Sequence, residues 1–263
     1  MYSPFQLGLK YLRYLWLAQN GRGHGMHSPF VFDLITQVLN DQGDYYCYYP
    51  IEDLRNALKQ DSRLLSIEDL GAGSRKGTRN KRSVGDVAKN ALKPRKYSQL
   101  LFRLTNYIKT GTVVELGTSL GITTSYLAAA GNQVYSFEGI PDIVAVAREN
   151  FEKLGLKNIT ITPGNFDDTL AETLPVIGPI DMAYIDGNHR KEPTLRYFNT
   201  LYPSLHANSM VVFDDIHWST GMEEAWQTIQ QDPRVKMTVD LFFIGLVFFK
   251  KEFLVKQDFT VRF

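Results

Sequence analysis

The sequence contains a single cysteine, no long apolar run and almost no net charge. Cys47 alone excludes an internal disulfide framework and any metal cluster built from several cysteines of one chain, so we expect a reducing, cytoplasmic environment. No stretch of about 20 residues is apolar enough to span a bilayer. The 29 lysine and arginine residues nearly balance the 28 aspartate and glutamate residues, so the overall charge does not indicate a polyanion-binding protein.

The chain does contain enough apolar sequence for a packed core. Hydrophobic residues make up 44% of its 263 residues and charged residues 22%, which argues against a disordered or fibrous protein. This length fits one large domain, or one domain with a smaller appendage. The apolar stretch 5–17 is interrupted by Lys10 and Arg13, and we interpret it as a helix that covers the domain or a homodimer interface. Its aromatic residues leave open a contact with a membrane surface or a hydrophobic substrate.

The sequence pattern changes near Gly111. Residues 1–110 predict a helical cap with a polar, basic loop. Residues 111–263 alternate β-branched runs with amphipathic helices, which predicts a parallel sheet covered by helices and an antiparallel pair at its end. Residues 253–263 fit either an edge strand or a dimer contact. The predicted strands are 112–116, 133–138, 158–162, 180–186, 210–215, 235–243 and 245–249, and the predicted helices include 122–130, 142–154, 193–201 and 221–231.

A loop with two glycines follows the first strand of this predicted sheet. Gly117 and Gly121 allow the backbone to pass close to a ligand, and the free amides at the start of the next helix would face it. Glu138 ends the second strand about 20 residues later, where a carboxylate commonly binds ribose hydroxyls. Glu115 precedes the first glycine by two residues and would repel a pyrophosphate. Its charge suits the ammonium and sulfonium groups of S-adenosylmethionine instead.

A second glycine-containing segment, residues 67–74, competes for the cofactor role. It is followed by a basic run and then by helical sequence, without a second strand that ends in an acid, so we assign no cofactor to it. The basic run 75–82 is either a solvated loop or a segment that closes over the site or contacts an anionic substrate.

Three aspartates follow the fourth and fifth predicted strands. The carboxyl ends of parallel strands meet at one edge of a sheet, so Asp186, Asp214 and Asp215 should converge there. Converging carboxylates repel one another unless a cation compensates them, and Mg²⁺ prefers oxygen ligands of this kind. We therefore predict a Mg²⁺ site. The alternative is that one aspartate caps a helix or orients the cofactor and that no metal binds, and Asp186 is counted among the cofactor-binding candidates as well.

Residues 112–249 resemble class I S-adenosylmethionine-dependent methyltransferases, especially the catechol and caffeoyl-CoA O-methyltransferase-like group and its sugar-modifying relatives. The motifs that carry the resemblance are VVELGTSLG (113–121), SFEGIP (136–141), IDGNH (185–189) and FDDIHW (213–218). The resemblance implies a doubly wound α/β fold with a seven-stranded, mostly parallel sheet of order 3-2-1-4-5-7-6, whose last strand is antiparallel. Together with the change near Gly111, it divides the chain into an N-terminal helical cap (1–110) and a Rossmann-like methyltransferase domain (111–263).

The resemblance also implies roles for individual residues. Glu138 would bind the ribose of the cofactor. The relatives carry Asp, Asp and Asn at the metal positions, and here Asp215 replaces the asparagine. The residues around the methionine part of the cofactor would be Glu115, Gly117, Ser119 and Thr123, and those against the adenine Gly164, Asn165 and Phe166.

His189 lies three residues after Asp186, where catechol-type enzymes place a lysine thought to act as a base. An imidazole titrates near neutrality and can take the proton from a metal-acidified hydroxyl. His189 and Asp186 are therefore the catalytic candidates. Cofactor contact, metal ligation and a structural hydrogen bond stay open for His189, and His217 is a second candidate base or ligand.

These inferences predict a cytoplasmic enzyme that uses S-adenosylmethionine and Mg²⁺ to methylate a hydroxyl of a small-molecule acceptor. A phenol, a sugar and a lipid-like alcohol all fit. One alternative is a tRNA or rRNA methyltransferase, which the basic run favours and the near-zero net charge disfavours. Another is a cofactor-binding protein that keeps the fold without turnover. An NAD-linked dehydrogenase is less favoured, because the G-x-G-x-x-G spacing is missing.

Overall fold

The structure, a computed structural model, describes residues 1–67 and 81–263. The chain divides into two compact units. We call Gly43–Gly178 the central unit, and Met1–Gln42 together with Pro179–Phe263 the terminal unit. Within the described ranges, no helix combines the length and the apolar character needed to cross a membrane.

Helices and strands alternate through most of the described chain. The helices are α1 (Pro4–Leu17), α2 (Pro29–Leu34), α3 (Tyr48–Leu58), α4 (Val84–Asn90), α5 (Arg95–Ile108), α6 (Ile122–Ala129), α7 (Pro141–Lys153), α8 (Phe166–Ile177), α9 (Lys191–Leu201) and α10 (Thr220–Gln231). The strands are β1 (Leu64–Ser66), β2 (Lys81–Ser83), β3 (Thr112–Leu116), β4 (Gln133–Glu138), β5 (Ile159–Pro163), β6 (Ile180–Ile185), β7 (Leu205–Asp214), β8 (Met237–Asp240), β9 (Ile244–Phe248) and β10 (Gln257–Thr260). A π-helical turn (Ile35–Leu39) continues α2.

The central unit contains three parallel strands. β4 lies between β3 and β5, with Thr112 opposite Gln133 and Val134 opposite Ile159. Every residue of β3 after the first is buried, as is typical of a parallel strand with helices on both faces. Parallel pairing brings the carboxyl ends of the three strands to one edge. The predicted glycine loop leaves the sheet at that edge.

Helices from before β3 form part of the same core. The ring of Tyr48 on α3 meets Phe102 of α5 and Tyr126 of α6 edge to face, with both pairs of ring centroids 5.7 Å apart. Cys47 lies at the start of α3 in this apolar cluster, and burial raises the pKa of its thiol to about 11. Beside it, β1 and β2 form a short antiparallel pair.

The terminal unit contains five strands in the order β6, β7, β9, β8, β10. β6 and β7 are parallel, and β9 is antiparallel to both β7 and β8. The predicted antiparallel pair is thus confirmed as β8 and β9. β10 adds a parallel edge strand beside β8. Residues 253–263 therefore contribute an edge strand.

The helix α1 packs on the end of this strand group. The ring of Tyr11 lies 5.0 Å from that of Phe242, and the ring of Tyr14 lies 5.2 Å from it, centroid to centroid. Beyond α1, Gln19 pairs with Val261 in an isolated parallel bridge, and the hydroxyl of Tyr14 donates to the carbonyl oxygen of Val261. The segment around α1 and the segment around Val261 therefore stabilise each other's position.

The predicted α/β class with a largely parallel sheet flanked by helices is confirmed. β3 and β4 begin and end where the sequence places them, and β5 is shifted by one residue. β7 begins at Leu205, before the predicted residue 210. Residues 205–209 mix polar and apolar side chains, and four of the five are not buried, so the sequence shows no strand pattern there. Among the described residues, the structure adds three strands to the seven predicted ones: β10 beside β8, and the pair β1 and β2 in the segment predicted as a helical cap. The division into a cap and a methyltransferase domain at residue 110 remains a prediction.

Candidate cofactor and cation sites

The loop between β3 and α6 is shaped by positive-φ residues. Gly117, Ser119 and Gly121 have φ values of 106°, 48° and 80°. A Cβ atom on Gly121 would lie 2.5 Å from the ring of Phe151, so side-chain size as well as backbone geometry requires glycine there. The amide of Gly117 donates to the carbonyl oxygen of Phe137 at 3.0 Å, which ties the loop to β4. The loop is therefore held in one conformation by its glycines and by its contact with β4, and its approach to a ligand remains a prediction.

Glu138, at the end of β4, accepts hydrogen bonds from two backbone amides. The amide of Ser119 donates to Oε2 at 3.0 Å, and that of Ile140 donates to Oε1 at 3.1 Å. Burial raises the pKa of Glu138, and these amides oppose the shift because they stabilise the carboxylate. The hydroxyl of Ser119 is buried and has no hydrogen-bond partner among the described residues. Glu138 thus contacts the glycine loop at Ser119.

Glu115 lies on β3 and has no exposed surface. Its Oε2 accepts hydrogen bonds from the hydroxyls of Thr124 at 2.5 Å and Ser136 at 2.6 Å. Burial raises the pKa of Glu115 to about 7. Its Oε1 has no hydrogen-bond partner within the described ranges. Thr123, the neighbour of Thr124 at the start of α6, is also buried.

The segment after β5 contains the three residues that the resemblance assigns to the adenine. Gly164 has a φ of 129°, and its amide donates to the carbonyl oxygen of Glu138 at 2.9 Å. Asn165 is the N-cap of α8, and its side-chain oxygen accepts the amide of Asp167 at 3.1 Å. Phe166 is half-buried at the start of the helix. The predicted cofactor residues of the central unit therefore gather at the carboxyl ends of β3, β4 and β5.

A group of metal-ligand side chains lies in the terminal unit. Asp186, His189 and Asp214 each offer one ligand atom, and these atoms all lie within 4.8 Å of one another. The register of β6 and β7 pairs Ile185 with Phe213, which brings the two aspartates that follow them side by side. Asp186 Oδ2 accepts the hydroxyl of Tyr184 at 2.8 Å, and its Oδ1 lies 3.5 Å from His189 Nε2. This arrangement can hold a divalent cation.

Asp215, the third ligand predicted from the sequence, is not a member of this group; His189 takes its place. The φ of Asp215 is 53°, and its amide donates to the carbonyl oxygen of Phe243 at 2.7 Å. His189 also has a positive φ, 39°, as does Asn188 before it, at 68°. Such backbone values cluster at functional sites. The signal for His189 in the sequence is its position three residues after Asp186.

His217 is held between two carboxylates. Its Nε2 lies 2.7 Å from Asp240 Oδ2, and its Nδ1 lies 3.1 Å from Glu223 Oε1. Burial acts to lower the pKa of His217, but the hydrogen bonds and charges of the two carboxylates raise it overall. Both ring nitrogens are therefore engaged, and the arrangement fits a structural role better than that of a base or ligand.

The competing glycine segment and most of the basic run fall outside the described residues. Of the run 75–82, the structure describes Lys81 and Arg82, which belong to β2.

Comparisons with known proteins bear on these residues. Residues 114–216 match the family described as Methyltransferase domain. A protein-L-isoaspartate O-methyltransferase of Magnetococcus marinus is 40% identical over 53 residues, which is 20% of this chain and 23% of that protein. The matches to curated relatives span 23% to 60% of those relatives' lengths, less than two thirds in each case.

Solved structures share the fold over more of the chain. The SAH-bound methyltransferase PaMTH1 of Podospora anserina is 14% identical with a TM-score of 0.58, over 85% of this chain and 97% of its own. An O-methyltransferase of Bacillus cereus, in complex with SAH, is 17% identical with a TM-score of 0.54, over 79% of this chain and 92% of its own. Residues 114–216 are thus similar to the methyltransferase domain, and the chain shares its fold with solved methyltransferases.

Proposed function

We propose that the chain transfers a methyl group from S-adenosylmethionine to a hydroxyl oxygen of a small-molecule acceptor, with the help of a divalent cation. The observation that carries the proposal is the contact of Glu138 with the amide of Ser119, because it holds a ribose-type carboxylate against the glycine loop of a methyltransferase domain. A cytoplasmic location and a homodimer remain predictions from the sequence.

The central unit contains groups that suit this cofactor. The hydroxyl of Ser119 and one oxygen of Glu115 are buried without a hydrogen-bond partner among the described residues, and buried polar atoms of this kind gain most from a polar ligand. A cationic ligand also favours the ionised form of Glu115. We assign the methionine part of the cofactor to Glu115, Gly117, Ser119, Gly121 and Thr123, its ribose to Glu138, and its adenine to Gly164, Asn165 and Phe166.

For the cation we propose Asp186, His189 and Asp214 as ligands. The two carboxylates suit Mg²⁺, and the imidazole nitrogen extends the choice to Mn²⁺ or Zn²⁺. When bound, such a cation lowers the pKa of a coordinated hydroxyl. Asp186 is also the candidate of the terminal unit for a cofactor contact.

The proposed transfer is an in-line displacement that needs positioning and the removal of one proton. The bond between the sulfonium sulfur and the methyl carbon breaks as the bond between the methyl carbon and the acceptor oxygen forms. The hydroxyl proton then needs an acceptor. His189 can take it at an imidazole nitrogen if the cation is held by the carboxylates alone. If His189 binds the cation, the proton passes to solvent.

Calorimetric titration with S-adenosylhomocysteine tests the cofactor assignment. We expect micromolar binding to the wild type and at least tenfold weaker binding to Glu138→Gln, which loses the charge that accepts the ribose hydroxyls. Glu152→Gln, an exposed glutamate on α7 of the same unit, is the matched control and should bind like the wild type. If the wild type does not bind S-adenosylhomocysteine, the proposal is wrong.

Substitution of two neighbouring aspartates tests the proposed cation ligands. Mg²⁺ and Mn²⁺ are titrated into the wild type, Asp214→Asn and Asp215→Asn. Asparagine tolerates the positive φ of residue 215, so Asp215→Asn should fold. Asp214 has no positive φ, and asparagine has the same shape as aspartate, so Asp214→Asn should fold as well. We expect the heat of binding to disappear in Asp214→Asn and to persist in Asp215→Asn. Loss in Asp215→Asn instead would favour the three-aspartate set predicted from the sequence.

Transfer of a labelled methyl group to panels of phenols, sugars and alcohols tests the reaction. Cofactor binding without transfer to any acceptor would favour a cofactor-binding protein. Labelling of tRNA that falls steeply with salt would favour an RNA methyltransferase.

A further inference from the structure

The helix α1 of the terminal unit exposes an apolar stripe. Phe5, Leu9, Leu12 and Trp16 are spaced by four, three and four residues, so they lie within an arc of about 60° on the helix. The four residues are 75%, 52%, 63% and 81% exposed, respectively. A contiguous exposed row of large apolar side chains marks an interaction surface.

The opposite side of α1 is already occupied. Tyr11 and Tyr14 pack on Phe242, and the ammonium of Lys10 lies 2.9 Å from the carboxylate of Glu223. The hydroxyl of Tyr2 donates to the same carboxylate at 2.7 Å. These contacts fix the helix to its own unit. The stripe therefore faces outward from a helix whose position is fixed.

The segment that contains α1 has basic and no acidic side chains, although the whole chain is nearly neutral. Residues 1–32 contain no aspartate and no glutamate. Arg13 is exposed and lies about 40° from the edge of the stripe on the helix. Arg262 lies beyond the end of the helix, because its amide donates to the carbonyl oxygen of Gln19 at 3.2 Å, and Arg22 follows three residues after Gln19. Arg13 therefore lies beside the stripe, and Arg22 and Arg262 lie in the segments next to the carboxyl end of α1.

We propose that α1 docks on an anionic membrane surface, with the stripe inserted at the boundary between headgroups and acyl chains and the arginines facing the lipid charges. Aromatic and aliphatic side chains beside cationic ones are typical of helices that lie in this boundary. A second copy of the chain is a poorer fit. A two-fold contact through the stripe would bring two Arg13 side chains together, and α1 has no acidic residue to compensate them.

Co-sedimentation of the full chain with lipid vesicles tests the proposal. The vesicles are phosphatidylcholine alone, or phosphatidylcholine with about 30 mol% phosphatidylserine. We expect at least tenfold tighter binding to the anionic vesicles, weakened by salt because the attraction is partly electrostatic. Trp16 is 81% exposed, so its fluorescence should shift to shorter wavelength on binding.

A pair of double variants separates the stripe from exposed apolar residues in general. Phe5→Ser with Trp16→Ser removes the ends of the stripe and should weaken binding at least tenfold. The control is Leu254→Ser with Val255→Ser, because these two residues are 93% and 71% exposed in the same unit and lie outside α1. The control should bind like the wild type. Thermal melting verifies that both variants fold, and Arg13→Gln should reduce the preference for anionic vesicles.

Three results would overturn the proposal. The first is a wild type that does not sediment with anionic vesicles. The second is an equal loss of binding in the two double variants. The third is a dimer in light scattering that the Phe5 and Trp16 substitutions abolish while vesicles are not bound, which would assign the stripe to a second copy. None of these results depends on methyl transfer.

Discussion

Glu115 is a carboxyl group without exposed surface, and its pKa is raised by burial to about 7 from an ordinary value of 4.5. The folded state therefore binds this proton more tightly than the unfolded state does. Protonation stabilises the fold, and this stabilisation is lost as the pH rises from the lower value through the higher one. The hydroxyls of Thr124 and Ser136 limit the cost of ionisation because they donate to the carboxylate.

We expect this group to lower the free energy of unfolding by about 3 kcal/mol as the pH rises, most of it between pH 5 and pH 8. Glu115→Gln stays neutral and keeps an oxygen for the two hydroxyl donors, so its stability should depend less on pH. Urea unfolding at several pH values measures the difference. Glu152→Gln, exposed on α7, should retain the wild-type dependence. Equal slopes for Glu115→Gln and the wild type would contradict the expectation.

The sequence predicts some residues of the candidate sites better than others. Glu115, Gly117 and Glu138 lie at the ends of β3 and β4, as the predicted strands require, and their roles in cofactor binding remain predictions. The proximity of His189 to Asp186 and Asp214 was not predicted as a ligand set, because it depends on the spacing of two strand ends and on a positive-φ turn. The hydrogen bonds from Thr124 and Ser136 to Glu115 were also missed, because short hydroxyl side chains give no periodic signal.

At the scale of elements, the connection between β3 and α6 requires glycine at residue 121 for two reasons, backbone conformation and space, and these can be tested separately. Gly121 needs a positive φ of 80° and also has no room for a Cβ atom, which would lie 2.5 Å from Phe151. Gly131, just beyond the end of α6, has a similar φ of 89°, but a Cβ atom there would meet nothing within 4 Å. The two glycines therefore form a matched pair.

We expect Gly131→Ala to cost about 1 kcal/mol of stability, the penalty of a left-handed residue alone. Gly121→Ala should cost about 1 to 3 kcal/mol more, because it adds overpacking against the ring. Urea unfolding measures both changes. Phe151→Leu should recover part of the loss in the Gly121→Ala background and none in the Gly131→Ala background. Equal losses of stability in the two alanine variants would show that the Phe151 ring moves aside at little energetic cost.

The elements themselves differ in how well a sequence indicates them. β3 is rich in β-branched residues and β4 alternates apolar with polar ones over most of its length, and the predicted bounds of both strands are confirmed. β10 has four residues, three of them polar, and none is fully buried. Its position beside β8 arises from packing at a sheet edge, so a local pattern left the segment open to two interpretations.

At the scale of the whole molecule, contacts between distant segments are the part that sequence patterns do not indicate. The terminal unit joins residues 1–42 with residues 179–263, and the bridge between Gln19 and Val261 is one of the contacts that hold them. Hydrophobic periodicity predicts that the helix α1 has an apolar face. It does not predict that the side with Tyr11 and Tyr14 packs on Phe242 and that the opposite apolar stripe stays exposed.

The buried thiol of Cys47 is a built-in probe for the opening of the central unit. Its pKa of about 11 leaves almost no thiolate in the native state near pH 8, so an alkylating reagent reacts chiefly through molecules whose central unit has opened. The labelling rate then measures the open fraction, without any introduced probe and at one site only. A substitution in that unit that costs 2 kcal/mol on opening should accelerate alkylation roughly 30-fold.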